Sequence, residues 1–147
     1  MLYPKTILLV EDNPGDVELT IRALRKSKIE TQLDIAEDGA EALDYLFCQG
    51  QYGDRNPNMP PSLVLLDLNL PKIGGLEVLH HIRNHPKTKN LPVVVLTSSN
   101  EESDVTTAYS NGANSYIRKP VDFTEFTDAV HQMGIYWLEL NEAPPLC

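Results

Sequence analysis

Leu63-Val64-Leu65-Leu66-Asp67-Leu68-Asn69-Leu70-Pro71 is the stretch on which the fold turns. Four consecutive aliphatic residues run into a carboxylate and then into a loop that closes on proline. An apolar run that is continuous rather than alternating fits a strand buried on both faces, as in a parallel sheet covered by helices. Ile7-Leu8-Leu9-Val10 and Val93-Val94-Val95-Leu96 repeat the pattern on either side. Leu33-Asp34-Ile35-Ala36 and Ser115-Tyr116-Ile117 are weaker and read as strands nearer the sheet edges.

Helical spacing fills the intervals. Asn13-Pro14 offers a capping side chain and a proline for the first turn, with Val17, Ile21 and Leu24 on one face. Asp38-Gly39 precedes Ala40, Leu43 and Phe47; Leu76, Leu79 and Ile82 mark a third helix before His85-Pro86. Val105 and Ala108 mark a fourth, stopped at Asn111-Gly112, and Asp122 caps a fifth that is expected to run from Phe123 toward Leu140. The order βαβαβαβαβα implies one parallel α/β sheet with right-handed crossovers. At 147 residues the chain reads as one domain, residues 1–147. Two segments exceed a minimal unit. The connector Gln49 to Ser62, with Gly50, Gly53, Pro57, Pro60 and Pro61, is long enough to be a functional loop, a disordered one, or a tolerated surface insertion. A C-terminal extension begins at about Gly134.

Composition excludes several function classes. Net charge is −9, which disfavours nucleic acid and anionic membrane as partners. No apolar run approaches the ~20 residues of a membrane span, and no signal-peptide core opens the chain, so a cytoplasmic location is expected. Cys48 and Cys147 fit no zinc or redox spacing and read as free thiols. His80, His81, His85 and His131 read as surface or satisfied histidines, and Glu101-Glu102-Ser103-Asp104 as acidic residues at a helix N-terminus.

In open parallel sheets ligands bind beyond the carboxyl ends of the strands. There the sequence places Glu11 and Asp12 after the first strand, Asp67 after the third, Thr97 at the end of the fourth, and Arg118-Lys119 after the fifth. Three carboxylates in one cleft repel one another, and an oxygen-preferring divalent cation relieves the repulsion, Mg2+ in the first instance and Mn2+ as a substitute. A metal beside a carboxylate, a hydroxyl and an ammonium suits phosphoryl transfer. Asp67 is the expected nucleophile, with Thr97 and Lys119 facing the phosphoryl oxygens.

These residues resemble the response-regulator receiver family. The resemblance covers about residues 5 to 133 and rests on Leu9-Val10-Glu11-Asp12-Asn13, Leu65-Leu66-Asp67-Leu68-Asn69-Leu70-Pro71, Gly74-Gly75, Leu96-Thr97-Ser98-Ser99, Gly112-Ala113 and Tyr116-Ile117-Arg118-Lys119-Pro120. It implies a flavodoxin-like fold with strand order 2-1-3-4-5. It also implies Asp67 as phosphoacceptor, and Glu11, Asp12, Asp67 and the backbone carbonyl of Asn69 around the metal. Further implications are a cis Lys119-Pro120 peptide and a switch in which Thr97 moves toward the phosphoryl group while Tyr116 turns inward. Glu11 stands where the family more often has Asp, which changes reach rather than role. A narrower likeness, to the regulators paired with cyanobacterial phytochromes, rests on Asn13-Pro14-Gly15-Asp16, the Tyr52 to Pro61 insertion, Thr97-Ser98-Ser99 and Tyr136-Trp137-Leu138. It implies a light-regulated histidine kinase as partner.

The rival reading is a haloacid dehalogenase-type phosphatase, which also uses a nucleophilic Asp after a strand. That chemistry asks for a second Asp two residues on, where this chain has Asn69. No glycine-rich nucleotide-binding pattern follows the first strand. No room for an output domain is expected after residue 140. On the fifth helix Phe126, Val130, Met133 and Trp137 form one apolar face, and Phe123, Ile135 and Leu138 extend a second. With Tyr109, Tyr116 and Trp137 the second face is expected to form a homodimer surface across helix 4, strand 5 and helix 5.

Overall fold

Among the described residues five strands and five α-helices alternate: β1 (Lys5–Val10), α1 (Pro14–Lys26), β2 (Thr31–Ala36), α2 (Gly39–Leu46), β3 (Leu63–Leu66), α3 (Gly75–Arg83), β4 (Val93–Thr97), α4 (Glu102–Ser110), β5 (Ser115–Arg118) and α5 (Phe123–Ile135). The computed structural model describes residues 5–145; Cys147 lies outside them. The strands pair in parallel in the order β2-β1-β3-β4-β5, the flavodoxin-like arrangement expected from the sequence.

The continuous apolar runs have the cause assigned to them. Leu8, Val10, Val64, Leu66, Val93 and Val95 join Ala42, Leu46, Val78, Leu79, Ile82 and Ala108 in the core beneath α2, α3 and α4. The alternating residues Ile7, Leu9, Leu63, Leu65, Val94 and Leu96 join Ala23, Leu24, Phe126, Val130 and Met133 beneath α1 and α5. Each aliphatic side chain so buried contributes roughly 1.5–3 kcal/mol, so neither face tolerates polar alternation. Local signals set the helix starts. Asn13 accepts from the Asp16 amide at 3.1 Å, Asp38 from Glu41 at 2.7 Å and Asp122 from Glu125 at 3.1 Å.

Gly39 is a packing requirement. A Cβ there would lie 2.0 Å from the carbonyl oxygen of Ile73, and backbone cannot rotate away as a side-chain tip does. Gly39→Ala is expected to lower stability in urea denaturation by about 1–3 kcal/mol, the usual cost of overpacking. An unchanged midpoint would show that the 67–74 loop yields freely.

The 49–62 connector is pinned rather than loose. A 3-10 turn at Gly50–Tyr52 brings Tyr52 edge-on to Tyr45, with ring centroids 5.2 Å apart, and its hydroxyl donates to Glu41 at 2.9 Å. Arg55 lies over the Tyr45 ring at 4.1 Å and donates to the carbonyls of Tyr45 at 2.6 Å and Met59 at 2.9 Å. Its far end meets the C-terminal extension at the strand starts, where Met59, Pro60, Pro61, Lys5, Pro92 and Pro144 line a cleft of about 370 Å³.

Two expectations are corrected. The α-helical geometry of α5 stops at Ile135, and Tyr136–Leu140 forms a π-helical turn closed by Asn141 N–H donating to the Tyr136 carbonyl at 2.6 Å. The wider turn carries Leu138 into the core at 1% exposure, so Leu138 belongs to no partner surface; Trp137 is half-buried against the same cluster. The Lys5 ammonium donates to the Leu138 carbonyl and ties the turn to β1. Among the described residues every peptide bond is trans, Lys119–Pro120 included. Trans is the favoured isomer of an X–Pro bond, and with it Lys119 already reaches its carboxylate partners.

Candidate functional site

The carboxyl ends of β1, β3, β4 and β5 carry the site, and the sheet ladder runs one residue past the strands to hold it. The Glu11 amide donates to Ala36 at 3.0 Å, Asp67 to Val10 at 3.1 Å and Lys119 to Thr97 at 2.8 Å, each to a carbonyl. The backbones beneath Glu11, Asp67 and Lys119 are therefore fixed by neighbouring strands. Gly75 opens α3 against the same spot: a Cβ there would lie 2.3 Å from the Asp67 carbonyl oxygen.

Five of the expected side chains converge. Carboxylate oxygens of Glu11, Asp12 and Asp67 lie within 4.8 Å of one another. Glu11 and Asp67 are buried, at 3% and 7% exposure, and Asp12 is exposed at the mouth. Asp67 Oδ1 accepts from the fully buried Thr97 hydroxyl at 2.7 Å and from the Asn69 amide at 3.2 Å. Asp67 Oδ2 accepts from Lys119 Nζ at 3.1 Å. Lys119 also donates to Glu11 Oε1 and, at 2.8 Å, to Asp16 Oδ2. Asp16 was not among the site residues expected from the sequence; its only signal was an acid in the first turn of the helix that follows Asp12.

Burial sets the protonation pattern. Desolvation pushes the Glu11 carboxyl up to about 7, against the pull of the Lys119 hydrogen bond and with the push of the Asp67 charge. Burial opposes ionisation of Asp67 too, but the Thr97 hydroxyl and the Lys119 charge hold it below the usual carboxylate range. Lys119 resists its own desolvation because Asp16, Glu11 and Asp67 keep it charged, above the ordinary lysine value. Near neutrality Glu11 thus exchanges a proton while Asp67 stays ionised, the state a nucleophile needs.

The donor set fits a divalent cation. Its side chains offer carboxylate oxygens, one group of them solvent-facing, and set Glu11, Asp12, Asp16 and Asp67 against the ammonium of Lys119. Glu11, Asp12 and Asp67 would hold it. A cation must displace the Glu11 proton, so its affinity is expected to fall roughly tenfold per pH unit below neutrality and to level off above it. Calorimetric titration of Mg2+ at about pH 6 and about pH 8 checks this; equal affinities would remove Glu11 from the ligand set.

Tyr116 lies outside this cluster and is half-buried. Its hydroxyl donates to the Ser99 carbonyl at 3.0 Å, and Ser99 Oγ donates to Asp104 Oδ2 at 2.5 Å. The tyrosine therefore grips the loop that leaves Thr97 and, through it, the start of α4. Ser99 and Asp104 were also not expected as site residues, since their partners become visible only once the loop folds back.

The model of the response regulator receiver domain matches residues 7–131. The chain belongs to this family. The receiver is 42% identical over 141 residues to the response regulator Rcp1 of Synechocystis sp., spanning 96% of this chain and 94% of that one. It is similar to the crystal structure of the Mn2+-bound form of response regulator Rcp1, with a TM-score of 0.89, 41% identity and coverage of 97% and 100% of the two chains. It is likewise similar to the phosphorylated cyanobacterial phytochrome response regulator RcpA, with a TM-score of 0.91 at 38% identity and coverage of 97% and 100%. The dehalogenase-type alternative finds no support in these likenesses. Among the described residues of the receiver no helix is long and apolar enough to cross a membrane.

Proposed function

We propose that this receiver acts as a response regulator whose Asp67 takes a phosphoryl group from a phosphohistidine on a partner kinase. The observation that carries the reading is the state of Asp67: ionised, buried, and bracketed by the Thr97 hydroxyl and the Lys119 ammonium. An Asp67 oxygen attacks phosphorus, the N–P bond breaks, and its electron pair returns to the imidazole nitrogen, leaving an acyl phosphate on Asp67. Lys119 and Thr97 face the phosphoryl oxygens and offset their charge. Mg2+ is the proposed cation: Glu11, Asp12, Asp67 and the Asn69 carbonyl would hold it, and it would supply positive charge against the phosphoryl group. Water later hydrolyses the acyl phosphate. Asn69, two residues after Asp67, cannot act as the acid of an external phosphatase cycle, so the protein acts on its own phosphoryl group.

The proposed kinase is of the phytochrome type, which the likeness to RcpA supports, and the setting is the cytoplasm. The output is a protein contact rather than nucleic acid, consistent with the net charge of −9. Thr97 and Tyr116 form the proposed switch, joined by the Ser99 loop. Exposed Tyr109 and Phe123, at 50% and 44%, together with the half-buried Tyr116, Ile135 and Trp137, are the residues of the proposed homodimer surface. Sedimentation at micromolar concentration is expected to show a dimer; a monomer with and without phosphoryl donor would end that part of the proposal.

The phosphorylation test is intact mass after incubation with acetyl phosphate. One phosphoryl group is expected in the presence of Mg2+ and none with chelator. No gain under either condition would overturn the reading.

A further inference from the structure

Lys119 is held by three carboxylates, and only two of them belong to the cation cluster. Glu11 and Asp67 share that cluster with Asp12, while Asp16 stands outside it. An ammonium carries three N–H donors, and here Glu11, Asp16 and Asp67 take one each. A divalent cation would draw on the same Glu11 and Asp67 carboxylates. Phosphorylation converts one Asp67 oxygen into an acyl-phosphate link, which leaves the other as an uncharged carbonyl and sets a phosphoryl group beside Lys119. The cation weakens the Glu11 and Asp67 contacts, phosphorylation weakens the Asp67 contact, and neither touches the third.

That third contact is made from a fixed base. The Asp16 amide donates to Asn13 Oδ1 at 3.1 Å and its carbonyl accepts from the Thr20 hydroxyl at 2.8 Å, so the first turn of α1 is closed on both sides of the residue. Its carboxylate sits 2.8 Å from an ammonium whose side chain is only 8% exposed. Lysine otherwise moves on a flexible four-carbon stem. We propose that Asp16 is a positioning residue that anchors the Lys119 ammonium, so that its remaining N–H groups face the phosphoryl group while a cation occupies the Glu11–Asp12–Asp67 cluster. This rests on the reading of Asp67 as phosphoacceptor and deepens it.

The test compares wild type, Asp16→Asn and Asp16→Glu, using acetyl phosphate as donor at saturating Mg2+, with Mg2+ affinity measured separately by calorimetry. Asp16→Asn is expected to lower the phosphorylation rate at limiting donor about tenfold, as one charge-assisted contact is lost. Mg2+ affinity is expected to change less than about threefold, because Asp16 lies outside the ligand set. Asp16→Glu is expected to recover most of the rate, since a carboxylate is again within reach of Lys119. A rate equal to wild type in Asp16→Asn, a parallel fall in rate and Mg2+ affinity, or an Asp16→Glu chain as slow as Asp16→Asn would each overturn the inference. A wild-type chain that takes no phosphoryl group would instead overturn the phosphoacceptor reading.

Discussion

Asp67→Asn, incubated with acetyl phosphate and Mg2+, is expected to keep its unphosphorylated mass while wild type gains one phosphoryl group. The amide has no anionic oxygen to attack phosphorus, and no other carboxylate receives both the Thr97 hydroxyl and the Lys119 ammonium. The variant should still fold. Its Oδ1 can accept from Thr97 and from the Asn69 amide as the aspartate does at 2.7 and 3.2 Å. Lys119 keeps Glu11 and Asp16. Removing one of several crowded negative charges also relieves repulsion, so thermal stability in the absence of cation is expected to hold or rise while Mg2+ affinity falls. A phosphoryl group still present on the variant would place the acceptor elsewhere.

The opposite substitution removes the counter-charge. Lys119→Met leaves Glu11 and Asp67, at 3% and 8% side-chain exposure, facing each other with no ammonium between them. Breaking a buried ion pair from one side costs about 3–5 kcal/mol, and urea denaturation at neutral pH without divalent cation is where that loss is expected. The pH sense follows from Glu11. Its folded value, already about 7 against 4.5 for the free group, rises further without Lys119, so the folded state binds the proton more tightly than the unfolded state does. Stability of the variant therefore recovers as pH falls through the folded value toward 4.5 and is poorest above it. Mg2+ should restore part of the loss at neutral pH, because a cation replaces the missing positive charge. A variant as stable as wild type at neutral pH would show that the pocket is wetter than its burial indicates.

The sheet was legible because burial on both faces leaves a coarse mark. Ile7–Val10, Leu63–Leu66 and Val93–Leu96 admit no polar residue, and the carboxylates and hydroxyl that follow them fall at strand ends by chain geometry alone. Helix starts were legible where a side chain caps its own helix, as at Asn13, Asp38 and Asp122. What escaped the sequence depends on contacts between elements. The i to i+5 turn that buries Leu138 arises where the end of α5 packs on the sheet, and periodicity taken at 3.6 residues sends that side chain outward. Asp16 became part of the site only when Lys119 arrived from the far end of the chain, and the links from Tyr116 to Ser99 and from Ser99 to Asp104 need a folded loop.

The Arg55-pinned connector and the C-terminal extension meet where the strands begin, whereas the carboxylates gather where the strands finish. A parallel sheet has two rims, and this chain has put its chemistry on one and its idiosyncratic decoration on the other. With the length of the sheet between the two rims, substitutions in the decoration at one are felt little by the carboxylate cluster at the other.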